Sequence, residues 1–60
     1  MRDWLKNIRR MKGVKQKEVA AYADISRSYY ANIESGNKTP SVVVAKKIAN
    51  YFKFEWSQFY

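Results

Sequence analysis

Three residues punctuate this chain. Gly13, Gly36 and Pro40 are its two glycines and its one proline in 60 residues, and all three fall between stretches whose apolar residues recur at helical spacing. Over residues 3–12, Leu5, Ile8 and Met11 repeat with Trp4 beside them. Asp3 suits the N-cap, and Gly13 suits the left-handed position just past the helix end. A short second segment, 16–23, carries Val19, Ala20 and Ala23 on one face. A third starts after Asp24-Ile25, with Ser26 as N-cap and Tyr30 and Ile33 sharing a face, and it closes at Gly36. Thr39-Pro40 opens the fourth as an N-cap hydroxyl followed by proline at the first helical position. Val42, Ala45, Ile48, Ala49 and Phe52 then keep the helical period. A last aromatic-rich turn covers 55–60. No stretch alternates with period two, so the expected fold is all-α, a compact domain of five helices over residues 1–60.

Composition removes several kinds of function. The chain has no cysteine and no histidine, so the usual thiolate nucleophile, neutral-pH base and soft metal ligands are missing. No catalytic constellation is recognisable, and the expectation is no enzyme, no metal and no cofactor. The longest apolar run, Val42-Val43-Val44-Ala45, is far shorter than the roughly 20 residues that cross a bilayer. No apolar signal region follows the first charges. The expectation is therefore a cytoplasmic protein without a membrane partner. A basic membrane-active peptide is disfavoured, because such peptides tend to be one amphipathic helix rather than several capped ones. Twelve Lys and Arg stand against five Asp and Glu, a formal net charge of +7. That field points to polyanions, nucleic acid first.

The two short helices in the middle, with a tight turn between them, have the sequence form of a helix-turn-helix over about residues 16–35. Small Ala20 lets the helices cross closely, and Ile25 plugs the turn. The chain resembles the phage repressor and Cro type of helix-turn-helix, the XRE family. The matching elements are Gly13-Val14, Gln16 with Val19-Ala20, Ile25-Ser26-Arg27-Ser28-Tyr29-Tyr30, Ile33-Glu34-Ser35-Gly36-Asn37-Lys38, Pro40-Ser41 and Ile48-Ala49. They cover nearly the whole chain.

The resemblance implies a repressor-like domain that binds double-stranded operator DNA, usually as a homodimer on a partly palindromic site. It also implies residue roles. Gln16 opens the second helix, where family members hold a backbone phosphate, and free helix N–H groups favour an anion there. Lys15 adds charge at that corner, and the Ser26 hydroxyl divides itself between capping and phosphate. Arg27, Ser28 and Asn32 fall where the family reads base edges, and Tyr29 faces the same side. Asn37 and Lys38 match a loop that touches the DNA backbone. Arg9 and Glu34 match a structural salt bridge. Lys6, Arg10, Lys12, Lys46 and Lys47 are expected to add long-range field from solvated faces.

Some positions depart from the family pattern. Lys15 replaces the usual capping Ser, Thr or Asn and is expected to leave the second helix uncapped. Asp24 and Lys53 stand where glycine is common. The C-terminal aromatics exceed the needs of one small core. Phe52, Phe54 and Phe59 are expected to be mostly core. Trp56 and Tyr60, with Phe54, match the family's dimer surface. That same surface supports a second reading, a protein-interaction module such as an antitoxin or adaptor. Polar, base-reading groups at Arg27, Ser28 and Asn32 favour the DNA reading.

Overall fold

The computed structural model describes residues 1–60. Four α-helices, α1 (Asp3–Lys12), α2 (Gln16–Ala23), α3 (Arg27–Ser35) and α4 (Val42–Phe52), are followed by a 3-10 turn (Trp56–Phe59). The fifth expected helix is therefore a single 3-10 turn. Helix α2 packs on α3 and α4, α1 packs on α3 and α4, and the 3-10 turn closes against α4. Leu5, Val19, Tyr30, Ile33, Ala45 and Ile48 are fully enclosed at the centre. Ala20, 2 % exposed, and Ala23 supply the close approach that larger side chains would prevent.

The chain reversals follow from local chemistry. Gly13 takes φ 73° and Gly36 takes φ 90°, both left-handed. Asp24 and Lys53 adopt the same conformation at φ 58° and 65° without being glycine. At Asp24 the helix end is closed by two backbone bonds, Asp24 N–H to the Ala21 carbonyl (3.2 Å) and Ile25 N–H to the Ala20 carbonyl (3.0 Å). This pairing uses carbonyls that have no partner inside the helix. The turn is thereby held to three residues, and Ser26 caps α3 by accepting the Tyr29 N–H at 3.0 Å.

Three expectations need correction. The N-cap of α1 is Arg2, not Asp3, which is already helical. The N-cap of α4 is Ser41, whose hydroxyl accepts the Val44 N–H at 3.3 Å. Pro40 lies outside that helix, buried, with its carbonyl accepting the Tyr60 hydroxyl. Met11 is 88 % exposed rather than core. It sits roughly 120° of helical rotation from Leu5, and the inward position beside Leu5 belongs to Arg9. As expected, Lys15 provides no side-chain cap for α2; the Glu18 carboxylate accepts only the Lys15 N–H, at 3.3 Å. A lysine side chain is a donor only and cannot accept the free N–H groups of the first turn.

Candidate nucleic-acid interface

The site is built on a polar knot that ties α1, α2 and α3 together. Arg9 donates from Nε to Glu34 Oε2 at 2.8 Å and from Nη2 to Oε1 at 3.1 Å, a two-pronged pairing. Its Nη1 donates to the Val14 carbonyl at 3.0 Å, which fixes the α1–α2 link. The two side chains are 14 % and 5 % exposed. Burial pushes the Glu34 carboxyl up, but the hydrogen bond from Arg9, the nearby Tyr30 hydroxyl and the Gln16 amide outweigh it. The net position is below the ordinary value. The Arg9 guanidinium is raised in turn, first by its hydrogen bond to Glu34. Tyr30 is enclosed beside the pair with its hydroxyl unpartnered. Its ionisation is pushed up, first by burial and then by the Glu34 charge.

From this knot a chain of polar contacts reaches the surface. The Gln16 amide donates to Glu34 Oε1 at 3.2 Å. The Gln16 carbonyl oxygen accepts from Arg27 Nη1 at 3.3 Å. The first residue of α2 and the first residue of α3 are thus joined across the turn. Arg9, Lys15, Gln16, Lys17 and Arg27 line one open concavity at the start of α2. Four of these five are cations, gathered at a helix N-terminus whose own dipole is positive; Arg9 is already paired with Glu34, and Lys15, Lys17 and Arg27 carry no ion pair. Such a cluster repels itself in the free protein and is relieved by an anion.

Ser26, Arg27 and Ser28 are exposed at the start of α3, and Tyr29 and Asn32 are half-buried further along it. Asn37 and Lys38 are exposed beyond the far end of α3. A nine-residue helix spans about 13 Å, so this loop stands apart from the Gln16 corner. The Lys38 N–H donates to the Asn32 carbonyl at 3.1 Å, which bends the loop back along α3.

The C-terminal aromatics divide. Phe54 turns inward, its ring 5.3 Å from Trp4 and 5.6 Å from Phe59. Trp56 and Tyr60 meet edge to face at 6.1 Å, with the Lys46 ammonium 5.2 Å over the Trp56 ring. Tyr60 is 61 % exposed, and Val42 and Val43 are also exposed. No helix is long and apolar enough to cross a membrane, and no group of acidic side chains is placed to hold a metal ion.

Residues 5–59 match a family profile described as helix-turn-helix. The chain is also 50 % identical to an uncharacterized HTH-type transcriptional regulator of Bacillus subtilis (strain 168), YqaF, over all 60 residues and 79 % of that protein. The chain belongs to the helix-turn-helix family. In this family member, α2 and α3 are joined by the short turn at residues 24–26. No solved structure matches the chain.

Two residues of this surface were not singled out from the sequence. Lys17 lines the same concavity as Lys15 and Gln16, and its place one residue past Gln16 at a helix start was a usable signal. Arg2 bonds to the Ile33 and Lys38 carbonyls. Its partners lie 31 and 36 residues away, and no local pattern announces them.

Proposed function

We propose that this helix-turn-helix protein is a sequence-specific transcriptional regulator that lays α3 in the major groove of its operator. The observation that carries this reading is the cationic corner of Arg9, Lys15, Gln16, Lys17 and Arg27, continuous with the polar, exposed start of α3. Lys15, Gln16, Ser26, Asn37 and Lys38 hold backbone phosphates. Arg27, Ser28, Asn32 and Tyr29 meet base edges, with Arg27 suited to fork onto a guanine and Asn32 onto an adenine. The similarity to a protein named as a transcriptional regulator supports the regulatory role. The protein represses by occupying its site in the cytoplasm. It binds as a homodimer on a palindrome, through the Trp56–Tyr60 surface with Phe54 packed beneath.

Selection from a random duplex pool, with salt varied during binding, tests this. A recovered palindrome with half-sites about one helical turn apart is the expected result. Recovery of no consensus, with binding that disappears steeply as salt rises, means that charge alone holds the DNA. The second reading, a protein-interaction module, then takes precedence on account of the exposed Tyr60 and Val43 beside the half-buried Trp56.

A further inference from the structure

We infer that Arg2 is a positioning residue for DNA binding: its guanidinium locks the loop that carries Asn37 and Lys38 to the end of α3. The inference deepens the DNA-binding reading above and rests on it.

The last carbonyls of a helix have no partner inside it, and those of α3 are satisfied in a way that depends on Arg2. The Asn32 carbonyl accepts from the Lys38 N–H and from the Ser35 hydroxyl, each at 3.1 Å. The Ile33 carbonyl accepts from the Gly36 N–H at 3.2 Å and from Arg2 Nη1 at 2.6 Å. The Glu34 carbonyl accepts from the Arg2 N–H at 2.9 Å. The same Nη1 also donates to the Lys38 carbonyl at 3.0 Å. One nitrogen therefore bridges the end of α3 and the far side of the loop. The guanidinium is held from a third direction, 5.6 Å over the Phe59 ring. A cation at this end of α3 also suits its dipole.

The loop has little else to hold it. Residues 36–39 are all exposed. The Asn37 N–H reaches Ser35 Oγ at 3.4 Å, and the Gly36 N–H bond to Ile33 and the Lys38 N–H bond to Asn32 are the remaining ties. Arg2 grips the carbonyl of the residue whose ammonium meets phosphate. Its contribution to binding therefore passes through Lys38 and is independent of base sequence. The two hydrogens of one guanidinium nitrogen point in fixed directions, which a freely rotating ammonium does not reproduce.

The test uses the full chain with Arg2→Met, Arg2→Lys, Lys38→Met and the Arg2→Met/Lys38→Met pair, titrated with a selected duplex over a range of salt. Arg2→Met is expected to weaken binding to all sequences alike and to reduce the salt slope by about one, as Lys38→Met does. The double variant is expected to bind no more weakly than Lys38→Met alone. Arg2→Lys is expected to stay within about threefold of Arg2→Met, because charge without the planar fork does not restore the clamp. In the DNA-free protein, Arg2→Met is expected to speed hydrogen exchange at the Lys38 amide while the amides of α4 keep their protection. If Arg2→Met loses its folded helical signal, Arg2→Gln, whose amide reaches one carbonyl and not both, replaces it.

Losses from Arg2 and Lys38 that add, wild-type binding by Arg2→Lys, or unchanged exchange at Lys38 would each overturn the inference. A wild-type chain that binds no duplex overturns the DNA reading and the binding role inferred for Arg2. The exchange measurement still decides separately whether Arg2 holds the loop.

Discussion

Arg27 and Gln16 are in contact before any DNA arrives, so each restrains the other's rotamer. Under the proposed reading their roles nonetheless separate cleanly. Arg27→Ala is expected to weaken specific binding by about 1–3 kcal/mol and to relax preference at one base position. Gln16→Ala is expected to weaken binding on all sequences without changing preference. Affinity measured against a panel of single-base operator variants distinguishes the two. Behind them, the Glu34 carboxyl ionises more readily in the folded protein than its ordinary value of 4.5. A depressed folded value means that the unfolded chain binds the extra proton. The stabilisation is complete above the ordinary value and is lost as pH falls through the lower folded one. Thermal unfolding from about pH 5 down to about pH 3 should therefore fall more steeply for the wild type than for Glu34→Gln. At neutral pH that variant should be less stable by about 1–3 kcal/mol, because a charged hydrogen-bond acceptor has been removed from a buried pair. Parallel pH slopes would show that the pair contributes nothing to acid sensitivity.

At the scale of elements, helix periods and turn residues were legible, and choices between near-equal neighbours were not. Gly13, Gly36, Asp24 and Ser26 sit where the sequence placed them, because φ above zero and a hydroxyl cap are local requirements. Thr39 and Ser41 both carry a hydroxyl able to cap, two residues apart. Ser41 serves because Pro40 is buried and its carbonyl is occupied by Tyr60, contacts that span 20 residues. Arg2 displaces Asp3 for the same kind of reason. Met11 shared a three-residue step with Ile8, but a short helix has room for few inward positions and Arg9 occupies one. Lys53 carries the clearest element-level prediction. An L-residue in left-handed conformation is strained by roughly 1–2 kcal/mol, so Lys53→Gly is expected to raise the unfolding midpoint. Guanidinium unfolding gives the sign directly, and a lower midpoint would mean that the Lys53 side chain contributes more than its backbone strain costs.

For the whole molecule, twelve basic and five acidic residues give a net charge of +7, which favours any polyanion. The family, the four-helix frame and the Arg9–Glu34 tie follow from spacing and resemblance. The joining of Gln16 to Arg27 and the bonds from Arg2 to the Ile33 and Lys38 carbonyls needed the folded chain, because each depends on contacts between different elements. What distinguishes a regulator from a merely basic protein is where the DNA sits. Backbone amide shifts followed during titration with the selected duplex measure this directly. The account predicts that the shifts concentrate at residues 15–17, at 26–29 with Asn32, and at Asn37 and Lys38. Shifts spread evenly over the cationic surface, or confined to Trp56, Tyr60 and Val43, would contradict it.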